Sequence, residues 1–425
     1  MISAVGFFSL LLIGVPVAFV LGLTTLIFVF STGNIGIMQS LPSKMFNGLQ
    51  NYGLVAIPMF ILLGEIMNHG GITARLIDFS KTILGHFRGG LAYVNVAGNM
   101  FLASIVGSAN AQTAIMGKIM VPAMEKEGYN KEFSTALTAA SSIMGPLIPP
   151  SMPFIIYGVT AGVSIGSLFL AGIIPGIMFA TCFGLFLYIM GKKRNFPKSE
   201  RVPLSLVLKS VIHVIPSLCI PLLIMVGITS GAFTATESAA IAVFLAFLIG
   251  MFLYRDLSLK VIPGILLRTV LTSATVTFLL ATSSIFGWVL NFQKIPQLIT
   301  NAFLYLADNI WVFLLLVNIL LIVVGMFLEG VAALILLPPI LLPVSAQFGV
   351  DPVHLGVIMV INLTLGLLTP PVGTVLFIAS SITNIKIEKL ITSLVPFLIL
   401  SFLILLIITY VPWTSMAIPN LFSLK

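Results

Sequence analysis

The sequence predicts an all-α polytopic membrane protein, an inverted-topology repeat with two re-entrant helical hairpins and two broken transmembrane helices. Three observations carry this. Of the 425 residues, 59% are hydrophobic and only 8% charged, where soluble domains run near one-quarter charged. Apolar stretches of the ~18 residues or more that a bilayer requires recur along the whole length. Finally, the hexapeptides GPLIPP (145–150) and GLLTPP (366–371) interrupt two of these stretches in the same way.

Composition also excludes function classes. The net charge of +8 sits on loop lysines and arginines and is read as topology rather than as nucleic-acid binding, because basic loops stay cytoplasmic. Cys182 and Cys219 lie in apolar runs and imply neither a disulfide framework nor a metal site. No GxxxxGK[ST] occurs, so the chain does not itself hydrolyse ATP. Met1 enters an apolar run without a basic n-region or a small-residue cleavage site, which reads as an uncleaved first helix. His69, His86, His213 and His354 fall mostly near span ends and no Asp pair lies in the spans, which disfavours an intramembrane enzyme.

Along the chain, residues 1–31 read either as one long helix kinked at Pro16 or as two short segments, and 53–70 as a span. Residues 70–87 are amphipathic enough to lie along the membrane interface. Arg75, Lys81 and Arg88 form one basic group and Lys118, Lys126 and Lys131 another, and residues 91–124, between Arg88 and Lys126, are mostly apolar with GSANAQT (107–113) in the middle (hairpin one, 91–127). Both ends of this segment face the cytoplasm, so it enters the bilayer and returns, with its tip at 107–112. Residues 133–165 cross outward, broken at 145–150, and 168–190 return to the basic loop GKKRNFPKSER (191–201). Residues 205–228, 237–254 and 263–291 then alternate past Arg255 and Lys260. A second hairpin (311–348), interrupted by GMFLEG (325–330), enters from outside. Residues 353–383 cross inward, broken at 366–371, to Lys386 and Lys389, and 391–411 are the last span.

The two halves superpose without gaps at an offset of 221 residues. Gly145 meets Gly366, Leu147 meets Leu368, Pro149 and Pro150 meet Pro370 and Pro371, and Ser108 meets Glu329. Their hairpins enter from opposite sides. Discontinuous helices at matching places of an inverted repeat point to a secondary transporter. A double proline stops a helix, because it removes donors and clashes with the preceding turn. The carbonyls before each break suit a cation, and the N–H groups after it suit an anion. Glu65, Glu237 and Glu329 are the acids in or beside apolar runs. Glu65 and Glu237 read as end-of-span or framework residues. Glu329 reads either as a functional acid at depth or as a cap of the arm that follows. Ser108, Asn110, Gln112 and Thr113 read as caps of the second arm of hairpin one, with a substrate or ion role also read for Ser108 or Asn110, while Arg268 and Lys118 read as snorkelling cations.

The stretches GSANAQTAIMG, GPLIPPS, GMFLEGVAALILLPPILLPV and GLLTPPVGTVLF resemble those of the large membrane subunit of TRAP (tripartite ATP-independent periplasmic) transporters. The resemblance spans nearly the whole chain and is nearest to the sialic-acid branch, although dicarboxylate members share the motifs. It implies an elevator-type architecture in the bacterial inner membrane. Scaffold helices and an arm would occupy 1–90 and 205–310, transport parts 91–190 and 311–412, and a cytoplasmic linker 191–204. It implies sodium-coupled import of an organic anion, delivered by a periplasmic substrate-binding protein, together with a small four-helix membrane subunit. Because the chain starts directly at the large subunit, that partner is expected as a separate chain. One Na+ is implied at Ser108, Gly145, Ile148 and Pro150, and a second at Gly325, Gly366, Thr369 and Pro371. Substrate is implied near Ser108, Asn110, Ser151, Glu329 and Thr374. A symporter that needs no binding protein and a passive channel are the remaining alternatives.

Overall fold

The computed structural model describes residues 2–33, 35–193, 196–197 and 203–422, and these contain no strand. The first half comprises α1 (Ile2–Leu12), α2 (Val17–Thr32), α3 (Ile35–Asn47), α4 (Ala56–His69), α5 (Ile72–Leu84), α6 (Gly90–Val106), α7 (Ala109–Lys126), α8 (Lys131–Ser141), α9 (Met152–Ala161) and α10 (Ile165–Lys193). The second comprises α11 (Leu204–Thr229), α12 (Ala235–Leu248), α13 (Ile262–Phe292), α14 (Ile295–Leu306), α15 (Ile310–Phe327), α16 (Gly330–Leu336), α17 (Pro338–Gln347), α18 (Pro352–Gly366), α19 (Thr374–Thr383) and α20 (Ile387–Tyr410), with α21 (Trp413–Leu421) beyond it. Among the described residues, seven helices are long and apolar enough to cross a membrane, or eight if the bent α16–α17 pair is one span.

The inverted repeat is carried by secondary structure as well as by motif. Shifted by 221 residues, the starts of α6, α7, α8, α9 and α10 fall within one residue of the starts of α15, α16, α18, α19 and α20. The amphipathic α5 meets α14 to within two residues. Packing follows the same logic in both halves: α6 lies on α7 and α8, and α15 on α18. The helices α4 and α13 lie against each other and touch this hairpin body, α4 at α6 and α9 and α13 at α16.

In lipid, apolar surface alone does not bring helices together, so close packing and small residues must. A Cβ on Gly64 of α4 would lie 2.7 Å from the Ile105 carbonyl oxygen of α6. A Cβ on Gly366 would lie 2.5 Å from Gly325 Cα, so α15 and α18 meet backbone to backbone. Large side chains fill the remaining space, with Phe154, Tyr157, Phe169, Phe179, Phe183, Phe313 and Phe397 fully buried.

Several expectations are sharpened or corrected. Residues 1–31 form two helices rather than one. Gly14 takes a left-handed φ of 84° and Pro16 starts α2, so α1 folds back until Gly6 faces the Ile27 side chain. The return arm of hairpin two is not continuous: α16 and α17 bend by 56° around Leu337, where Pro338–Pro339 withhold donors. The corresponding 117–118 pair is Gly–Lys, and α7 runs through it. The last span ends at Tyr410 and is followed by α21, which no sequence signal announced. The expected linker 191–204 begins while α10 is still helical, and its Arg194, Lys198 and Arg201 lie outside the described residues.

Candidate substrate and cation site

Each hairpin tip is made by one turn. α6 ends at Gly107, whose φ of 59° is left-handed, a region that a Cβ disfavours. Extended Ser108 then opens α7. Glu329, also extended, opens α16. Neither side chain bonds the N–H groups of the helix it precedes, so both occupy the cap position without acting as side-chain caps. Glu237 does act as one. It closes a capping box with Thr234, and the T-x-x-E spacing of 234–237 was the available signal.

Both tips wall one cavity of about 560 Å³, within the range typical of small-molecule sites. Ser108, Asn110, Glu329, Pro146 and Pro150 contribute from the hairpin body, and Glu65, Asn68, Thr272 and Thr275 from α4 and α13. The cavity therefore lies where the two groups of helices meet. It extends toward the end of α4 at which Arg75 pairs with Asp256 (2.5 Å) beside Arg255 and Lys260, the cytoplasmic end by the positive-inside rule.

No Lys, Arg or His lines this cavity among the described residues, whereas Glu65 and Glu329 do. Glu65 is compensated. Its Oε2 accepts from Arg268 Nε (2.8 Å), and Arg268 also reaches His69 Nε2 (3.1 Å). Arg268 is thus an ion-pair partner rather than a snorkelling cation. No described hydrogen bond or ion pair involves the Glu329 side chain, which is exposed to the cavity. The positive ends of α7 and α9 supply the balancing field, since Ala109, Asn110, Met152 and Pro153 are wall residues.

The remaining expected residues divide. Asn110 Oδ1 accepts from Thr374 Oγ1 (3.0 Å), which joins tip one to the helix after break two. Ser151 is fully buried, its hydroxyl donates to the Pro146 carbonyl, and it is absent from the cavity wall. It closes break one instead of facing the cavity. Gly145 is buried beneath Gln112, and Ile148 packs on Gly176 of α10. Gly325 and Gly366 touch. Thr369 donates to the Leu365 carbonyl (2.7 Å), which leaves its oxygen lone pairs available. Pro371 is exposed.

Two buried amide networks were missed. In one, Gln112 Nε2 donates to the Asn99 backbone oxygen (2.5 Å) and to Asn99 Oδ1 (2.9 Å), Asn99 Nδ2 to Asn95 Oδ1 (2.9 Å), and Asn95 Nδ2 to Thr138 Oγ1 (2.7 Å). In the other, Asn362 Nδ2 donates to Asn318 Oδ1 (2.6 Å), Asn318 bonds Thr409 (3.2 Å), and His354 reaches the Thr409 carbonyl oxygen (3.2 Å) and Ser415 (2.7 Å). The signal was amides within apolar runs, which must find partners in lipid.

Comparison with known proteins places this geometry. Residues 4–414 match the family described as tripartite ATP-independent periplasmic transporter, DctM component. The sialic acid TRAP transporter large permease protein SiaM of Vibrio cholerae is 38% identical over 420 residues, 99% of this chain and 98% of that one. The C4-dicarboxylate TRAP transporter large permease protein DctM of Pseudomonas aeruginosa is 38% identical over 383 residues, 90% of each chain. The crystal structure of the Alcanivorax borkumensis YdaH transporter superposes with a TM-score of 0.66 at 15% identity, covering 91% of this chain and 90% of that one, a likeness of fold.

Proposed function

Since the chain belongs to the DctM component family of tripartite ATP-independent periplasmic transporters, and is therefore a transporter permease component rather than an enzyme, we propose that it imports an organic anion across the bacterial inner membrane, coupled to sodium. Sialic acid is the first candidate substrate, supported by the 38% identity to SiaM over 99% of the chain. A C4-dicarboxylate is the second reading, favoured by equal identity to DctM over 90% of the chain.

The observation that carries the reading is the convergence of both hairpin tips and break one on a single cavity whose wall, among the described residues, has acidic residues and no basic ones. An anion entering such a space needs positive charge from elsewhere. Helix N-termini provide part, and Na+ held by oxygens at the breaks would provide the rest, which makes substrate binding depend on the ion. The elevator reading is supported by the position of the cavity between the hairpin body and α4–α13. Sliding the body outward would carry the tips from the cytoplasmic half of these helices to the outer half. In this reading the body, 91–190 and 311–412, is the transport part and α1–α5 with α11–α14 the scaffold. A periplasmic binding protein would deliver substrate and a small four-helix subunit would widen the scaffold.

Reconstituted uptake tests this. Proteoliposomes holding the chain with its small subunit, supplied with sialic acid or succinate on a cognate binding protein, should accumulate one of them only with an inward sodium gradient. Equal uptake without sodium would sink the coupling, and uptake without a binding protein would favour an independent symporter.

A further inference from the structure

One turn before each break glycine the repeat carries an oxygen with nothing to bond. Ser141 precedes Gly145 by four residues, and Asn362 precedes Gly366 by four, so the two are equivalent at the 221-residue offset. Both residues are fully buried, and Ser141 Oγ and Asn362 Oδ1 have no hydrogen-bond partner among the described residues. Orphaned buried oxygens are few in folded proteins. Ten buried side-chain oxygens lack a partner among the described residues, and Ser141 and Asn362 are the one pair of them at equivalent repeat positions, each one turn before an expected cation site.

The surroundings aim these atoms. Asn362 Nδ2 is committed to Asn318 Oδ1 (2.6 Å) and to the Ile358 carbonyl (2.8 Å), which fixes the amide with Oδ1 turned away from both. In the first half Gln112 Nε2 is committed to Asn99. Its Oε1 is a third orphan and fills the space that a Cβ on Gly145 would need. α7 packs on the 3-10 turn of 142–144 that follows Ser141. The amide oxygens of Gln112 and Asn362, held by their own donors, and the unbonded Ser141 hydroxyl suit a small hard cation that carbonyls at a helix break also bind.

We propose that each cation site reaches past the break glycine onto the preceding helix turn. The first site takes the side-chain oxygens of Ser141 and Gln112, and the second takes Asn362 Oδ1. This inference rests on the sodium-coupled reading, and the test separates the two. Thermal unfolding of the purified permease in detergent is followed while NaCl replaces choline chloride at constant ionic strength. Wild type should gain melting temperature saturably with sodium. Ser141→Ala removes only the orphan oxygen and breaks no hydrogen bond. It should keep or raise the melting temperature in choline, yet shift half-saturating sodium upward about tenfold, as expected for one lost ligand. Asn362→Leu should shift half-saturating sodium in the same direction, but it also deletes the two Nδ2 hydrogen bonds and so should lower the melting temperature in choline, whereas Asn362→Asp, which loses the same donor but keeps the oxygen, should hold half-saturation near or below wild type. A sodium response in wild type with unchanged half-saturation in Ser141→Ala and Asn362→Leu would overturn this assignment and leave sodium coupling standing. No sodium response in wild type would overturn both.

Discussion

The two breaks share four of six residues but sit in different surroundings. Residues 145–150 are buried except for the half-buried Ile148, whereas Pro371 and Val372 at the second break are exposed. The cause lies in the helix that follows. α10 presents Gly172 and Gly176, and a Cβ on either would collide with the Leu147 carbonyl or the Ile148 side chain. The equivalent positions of α20 are Ser393 and Phe397. Phe397 turns instead to Phe133, Phe183 and Phe186. One device, used twice, is therefore clamped in one half and open in the other. Neighbouring side-chain size, rather than the motif, decides which.

The largest effect is expected from breaking the clamp. Gly172→Ala should drive a methyl into the Leu147 carbonyl, and Gly176→Ala one into the Ile148 side chain. Overpacking of this kind costs ~1–3 kcal/mol, and both variants should lose nearly all uptake in proteoliposomes. Ser393→Ala, at the open break, should leave uptake and melting temperature unchanged. If Gly172→Ala also transports normally, the contrast between the breaks has no mechanical meaning.

Next comes the difference between the tips, serine at one and an acid at the other. Glu329→Ser makes tip two resemble tip one and removes the free carboxylate of the cavity. Uptake should fall roughly tenfold, equivalent to ~1.4 kcal/mol, with the same melting temperature. A drop in stability of ~0.3–1 kcal/mol with normal uptake would instead identify the acid as a helix-dipole partner.

A smaller change is expected at the link between the halves. Thr374→Val deletes the hydrogen bond to Asn110, worth ~0.5–1.5 kcal/mol, and substrate half-saturation in uptake should rise by less than about tenfold. Smallest of all, Arg268→Gln breaks a pair that is partly open to solvent. Such pairs contribute ~0.2–1 kcal/mol, so uptake should change less than about fivefold, and the change should shrink at high salt.

Much of this was legible beforehand, for identifiable reasons. Proline and glycine act through the backbone, so both breaks, both tips and the 221-residue register could be read directly from GPLIPP, GLLTPP, Ser108 and Glu329. The fold-back of α1 was undecidable because Pro16 permits either a kink or a turn, and Gly14 resolves it only through its φ. Ser151 was expected near substrate only through the family resemblance, and it does not line the cavity. Its bond to Pro146 depends on the folded loop and leaves no pattern in sequence. The Gln112 and Asn362 networks were signalled only by amides within apolar runs, and their pairing could not be read for a related reason. Their partners lie on other helices, so amide spacing along one helix says little about who meets whom.

Finally, α20 runs away from the basic end at Lys386 and Lys389, cytoplasmic by the positive-inside rule, so Trp413 and the rest of α21 emerge at the opposite end, the end of the tilted ring pair Trp311 and Tyr410. Ser415 reaches back to His354. By the same rule, a protein fused after Leu421 should lie on the side opposite the cytoplasm. A fluorescent protein that matures only in the cytoplasm should stay dark there, while alkaline phosphatase fused at the same point should become active. A tag placed before α21 would instead deprive His354 of Ser415 and leave it the Thr409 carbonyl.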